Sequence, residues 1–116
     1  MDLIVNEYNH CDLVKISGRI DSYSTPQIDA VLEALISADH YNIIIDLENV
    51  NFISSSGMLA FVNIQRKLKH QNKGEIVLIH VPNPLLNNFS IVGFDTVFSF
   101  FNDLDSATGW FSEPLK

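Results

Sequence analysis

Ser54, Ser55 and Ser56 stand in a row, with Gly57 after them, and are the residues of this 116-residue chain best placed to do chemistry. At such a point a serine hydroxyl can cap a helix, attack an electrophile or accept a phosphoryl group. Attack requires a base within hydrogen-bond reach and usually an acid that orients the base. The histidines are His10, His40, His70 and His80, and no spacing places one beside the serines. His40 and His70 read as solvated helix ends, and His80 as a strand residue. The G-x-S-x-G elbow is missing, because Phe52 and Ser54 stand two residues before Ser54 and Ser56, where its first glycine would be sought. No G-x-x-x-x-G-K-[ST] phosphate loop occurs either. Metal chemistry has as little support. One cysteine, Cys11, and four scattered histidines lack ligand spacing. Asp46 with Glu48, and Asp103 with Asp105, read as solvated carboxylates at strand and helix ends. Neither a metal nor a cofactor is expected.

The elements that must position the serines follow from periodicity. Leu3–Tyr8 alternates apolar and polar residues, and Asn9-His10 reads as a turn into a second strand, Leu13–Ser17, closed by Gly18. A helix then starts near Ser24 or Thr25, with Pro26 in its first turn and Gln27 spaced from Ser24 as a capping box requires. Ile28, Val31, Leu32, Leu35 and Ile36 give that helix one apolar face. Ile43-Ile44-Ile45 is an uninterrupted β-branched run, as in a central strand, Ile43–Leu47, covered on both faces, and the residues from there to a helix beginning at about Ser56 read as loop. Met58–Leu68 returns to helical spacing through Phe61, Ile64 and Leu68, with Met58 and Val62 beside the stripe and Gly74 as breaker. Ile76–Val81 reads as a buried strand, and Leu85–Val92 as a short helix ended by Gly93. Val97–Phe101 suggests a last strand, more fitting as core than as a docking patch. Asn102 or Asp103 caps a final helix running towards Phe111.

This order predicts an α/β fold with a mixed, mainly parallel sheet of four to five strands, an antiparallel edge and about four helices. It predicts one domain over residues 1–116 with a core of about 3–111. The serines then fall on a strand-to-helix loop, at the sheet end where ligands approach. The helix start there offers unpaired N–H groups and a positive dipole end, both of which favour an anion. A phosphate on that loop leaves the fold intact yet confronts any partner covering the loop with a desolvated charge.

Composition narrows the partners. Seven Lys+Arg oppose 14 Asp+Glu, a formal net charge of −7. Nucleic acid and anionic membrane surfaces repel such a body, whereas a basic protein partner suits it. No apolar run is long enough to insert in a membrane, and the lone cysteine points to a reducing compartment, so a cytoplasmic location is expected. Met1 leads almost directly into the first strand, so a complete small protein is expected.

Together "ISGRIDSYSTPQI", "IIIDLENVNFISSSGMLAFVNIQRKLK", "GEIVLIHVPNPLL" and "VGFDTVF" resemble a STAS domain, the fold of bacterial anti-sigma-factor antagonists. The middle block is the most specific, being similar to a family pattern of a strand ending in Asp-Leu followed by F-I-D-S-S-G-[LM]. The resemblance implies that Ser55 is the phosphorylated serine, with Ser54 and Ser56 as secondary candidates. It implies a partner surface of Asp21, Arg19, Ser54, Ser56, Gly57 and Met58. The implied partner is an anti-sigma factor with serine kinase activity, bound when Ser55 is unmodified and released on phosphorylation; a phosphatase would reset the switch. The sequence departs from the pattern at Ser54, where the family usually carries aspartate. A chain whose switch depends on that acid would bind its partner constitutively. An alternative within the same fold is an accessory subunit of a lipid-asymmetry ABC transporter, docking without phosphorylation. A serine-dependent enzyme is the third reading.

Overall fold

β1 (Asp2–Glu7) and β2 (Asp12–Ile20) open the chain, followed by α1 (Thr25–Ser37), β3 (Asn42–Ile53), α2 (Ser55–His70), β4 (Glu75–Ile79), α3 (Asn83–Ile91), β5 (Ser99–Phe101) and α4 (Leu104–Phe111). These elements come from a computed structural model, which describes residues 1–112; the last residues of the expected domain, 113–116, lie outside the described residues. The five strands lie in the order β1-β2-β3-β4-β5. β1 runs antiparallel to β2, and the other pairings are parallel, with β3 at the centre as its isoleucine run predicts.

Stepping one strand in the same direction at each right-handed crossover places all three crossover helices on one face. Ile28 and Leu32 of α1, Phe61, Val62, Ile64 and Leu68 of α2, and Leu85 and Phe89 of α3 pack there on Val14, Ile16, Ile43, Ile45, Ile76 and Leu78. The opposite face is covered by α4, whose Ala107, Leu104 and Phe111 meet Leu13, Ile44, Val77 and Ile79. The residues of 97–101 pack as core: Phe98 is 7 % exposed and meets Phe89 and Phe100 edge to face at 6.0–6.5 Å.

Several expectations are corrected. Gly18 does not end β2. It lies inside the strand at φ +96°, beside a register shift against β3, a backbone position that glycine takes at no steric cost. β3 likewise continues to Ile53, because two register shifts absorb extra residues relative to β2. Asp46 is not solvated; it is buried, and its carboxylate accepts the Glu48 N–H at 2.9 Å within the first shift. The capping box at Ser24 does not form. The Ser24 hydroxyl turns back to accept the Asp21 N–H at 2.9 Å, while the Asp21 main-chain oxygen takes the N–H groups of Ser24 and Thr25. His40 is paired, with its Nδ1 2.6 Å from Oδ2 of buried Asp12. His80 follows β4 in the left-handed region, φ +55°, with Nδ1 3.2 Å from Asp46 Oδ2. Asp103, as expected, caps α4 by accepting the Ser106 N–H at 2.7 Å.

Candidate functional site

Because β3 reaches Ile53 and α2 starts at Ser55, the strand-to-helix loop shrinks to Ser54 alone. Ser54, rather than Ser56, caps the helix: its backbone is extended and its Oγ accepts the Gly57 N–H at 3.1 Å. The Ser54 and Ser56 hydroxyls are 2.9 Å apart and bonded to each other. Ser55 is exposed, and among the described residues its hydroxyl makes no hydrogen bond. The amides of Ser55 and Ser56 have no backbone partner there either, so the helix start keeps free donors.

The Asp21 loop is fastened beside the serines by one backbone bond, Ser54 N–H to Ile20 C=O at 2.8 Å. Gly57 permits the close approach of α2 to both strands. A Cβ there would meet Ile20 Cγ2 at 2.5 Å and Ile53 Cγ1 at 3.2 Å, and both isoleucines are buried. Gly57→Ala is therefore expected to lower stability by about 1–3 kcal/mol through overpacking, although alanine ordinarily favours a helix. Urea unfolding checks this, and an unchanged midpoint would mean that the start of α2 lifts freely from the sheet.

Asp21 makes its side-chain hydrogen bonds within its own loop and none to Ser54, Ser55 or Ser56. Its Oδ1 accepts the N–H groups of Tyr23 and Ser24 at 3.0 and 3.1 Å, and its Oδ2 accepts from Arg19 Nε at 3.2 Å. The Ser24 N–H, then those of the Tyr23 amide, the Ser24 hydroxyl and the Arg19 guanidinium, hold the Asp21 carboxyl below its ordinary value. Arg19 in turn lies over Phe52, its guanidinium carbon 3.9 Å from the ring centroid. Arg19, Asp21, Phe52 and the serines thus form one continuous surface at the C-terminal ends of β2 and β3.

Next to Ser55 a groove of about 360 Å³ runs between the start of α2 and the end of α3. Phe52, Ile91 and Val92 form its apolar walls, and Ile91 is 81 % exposed. Met58, expected at the partner surface, is 4 % exposed and packs into the core beneath the groove; Gly57 is buried as well. Ile91 and Val92 were not singled out from sequence. For Ile91 the signal is positional, since it falls off the Leu85–Phe89 stripe that seats α3 on the sheet; Val92 keeps the spacing of that stripe but lies at the cap, past the last helical residue, and no pattern marks it as exposed. Phe52, Ile91 and Val92 together, rather than any one of them, make an apolar patch beside the serine loop, the kind of surface at which proteins associate.

The base that a nucleophilic serine needs is not supplied by His40 or His80, each of which lies against a carboxylate away from the loop. No helix among the described residues is long and apolar enough to cross a membrane.

Comparison with known proteins agrees with this geometry. Residues 2–107 match the STAS domain family. An anti-sigma-B factor antagonist of Staphylococcus aureus is 31 % identical over 80 residues, covering 69 % of this chain and 73 % of the relative. The crystal structure of an anti-sigma factor antagonist from Mycobacterium paratuberculosis superposes with a TM-score of 0.86 at 20 % identity, over 97 % of this chain and 94 % of the other. The phosphorylated form of the Bacillus cell-fate determinant SpoIIAA shares the fold at a TM-score of 0.71 and 16 % identity, over 92 % and 97 % of the two chains. Built on this sheet, with a capped serine loop beside an open apolar groove, the chain belongs to the STAS domain family and, within it, to the anti-sigma-factor antagonists, which are regulators rather than enzymes.

Proposed function

We propose that the chain is one regulatory module that binds an anti-sigma factor with serine kinase activity through the serine loop, and is released when Ser55 is phosphorylated. The observation that carries this reading is the state of the three hydroxyls. Ser54 and Ser56 are engaged with each other and Ser54 with the cap, while Ser55 is exposed and, among the described residues, its hydroxyl is the uncommitted one of the three. Ser54 also answers for the missing aspartate in one respect: serine and aspartate are comparably good N-caps, so the loop keeps its shape without the acid. The neighbouring groove supplies an apolar contact for the partner, and the net charge of −7 suits a basic one. SpoIIAA, which shares the fold, has both an unphosphorylated and a phosphorylated form.

Incubation with the host's anti-sigma kinases and ATP, read by intact mass, tests the reading. One phosphate is expected, lost in Ser55→Ala and retained in Ser54→Ala and Ser56→Ala. No transfer, together with stable co-purification with an ABC-transporter ATPase, would sink it in favour of a docking subunit.

A further inference from the structure

At the sheet end opposite the serine loop, three residues far apart in sequence converge. Glu7 closes β1 and pairs in register with Asp12, which opens β2, while His40 lies in the connection from α1 to β3. Each offers one ligand atom, and these atoms all lie within 4.8 Å of one another. The Asp12 side chain is 3 % exposed. Its Oδ2 meets His40 Nδ1 at 2.6 Å, a contact internal to the group. Its Oδ1 is buried and, among the described residues, has no hydrogen-bond partner. A carboxylate oxygen held out of water without a donor is unfavourable, and a cation relieves it. Beside the group opens a cavity of about 250 Å³ with Asp12, Asp39 and His40 in its wall; Lys73 also lines it, with its ammonium against Tyr41.

We infer that Glu7, Asp12 and His40 bind one divalent transition-metal ion, with zinc the best match. Imidazole with two carboxylates suits zinc and its neighbours, whereas magnesium and calcium prefer all-oxygen shells. Three protein ligands leave a fourth tetrahedral position for water. Metal–ligand lengths of about 2.0–2.2 Å put neighbouring donors roughly 3.3–3.5 Å apart. The Asp12–His40 pair needs only to part slightly, and the exposed Glu7 carboxylate to swing inward. The ion takes the place of the Nδ1 proton of the His40 imidazolium, which leaves to solvent while Nε2 keeps its own, and a bidentate Asp12 carboxylate brings the orphaned Oδ1 onto the ion together with Oδ2. A second group, Asp46, Glu48 and His80, has comparable spacing and its own buried unpartnered atom, His80 Nδ1, but there one Asp46 oxygen is held by a backbone donor outside the ligand set, the Glu48 N–H, whereas Asp12 meets only His40. It serves as an internal control.

Untagged full-length protein titrated with zinc chloride alone, by calorimetry and native mass spectrometry, is expected to take up one ion per chain. Glu7→Gln and His40→Gln are each expected to weaken that uptake about tenfold or more, while His80→Gln and Ser55→Ala leave it unchanged. Glu7 is exposed, so Glu7→Gln keeps the test sound even if a change at Asp12 unfolds the chain. Absence of uptake at millimolar zinc, full uptake in Glu7→Gln and His40→Gln, or loss confined to His80→Gln overturns the assignment.

Discussion

Phosphorylation of Ser55 is expected to weaken binding to the anti-sigma partner by about 100-fold or more while leaving the unfolding midpoint nearly unchanged. The fold tolerates the charge for a local reason. The amides of Ser55 and Ser56 have no other backbone partner among the described residues, and a phosphate at a helix start is stabilised by roughly 0.3–1 kcal/mol. The partner has no such compensation. It would cover the Phe52–Ile91–Val92 groove and bury the dianion against an apolar wall. An unpaired buried charge costs about 3 kcal/mol or more, and each 1.4 kcal/mol is tenfold in affinity. Ser55→Glu should reproduce part of the loss, since it carries one charge and fewer acceptor oxygens; Ser55→Ala should bind as the unmodified protein does. Calorimetry with the purified partner, without ATP, reads all three. Equal affinity for modified and unmodified protein would rule out the switch.

Gln65→Met is expected to lower stability by about 3 kcal/mol or more without touching the serine loop. Gln65 is 1 % exposed on the core side of α2. Its amide accepts the Ile76 N–H at 2.6 Å and donates to the main-chain oxygens of Ile76 and Val97, both at 3.1 Å. β5 pairs with β4 only from Val77 onwards, so the edge of β4 at Ile76 has no strand beside it. One side-chain amide occupies the place where a peptide group of β5 would sit. Methionine matches its volume but leaves three backbone groups short of a partner, at about 1–3 kcal/mol each. Urea denaturation measures the loss, and a value under about 1 kcal/mol would mean that water fills the amide's place.

Gln65 also marks a limit of what a sequence discloses. It occupies an apolar-face position of α2, four residues after Phe61, and pattern reading passes over it as an interruption. Elements whose period is intact were legible: the Ile28–Leu32 face of α1, the Ile43–Ile45 run, the stripe of α2 and the helix ended by Gly93 all appear where expected. The end of β3 was not. Glu48-Asn49-Val50-Asn51-Phe52 reads as loop because two register shifts break the alternation that identifies a strand. That error hid the shape of the site, where Ser54 is the whole connection and therefore the cap. The Asp12–His40 pair was invisible for another reason. A contact across 28 residues leaves no local period, and only the fold brings its members together.

The strand order has a consequence for how the chain acquires its structure. Each strand pairs with the one that precedes it in sequence, so no strand must be inserted between two already joined. A sheet that reverses direction at a switch point must hold an edge open for a later segment; this one can lengthen from a single growing edge. The hairpin of β1 and β2 requires only a short closure, and each later strand arrives after one helix has been spanned. Assembly can therefore proceed in the order of synthesis, with the exposed strand edge covered as the next strand emerges.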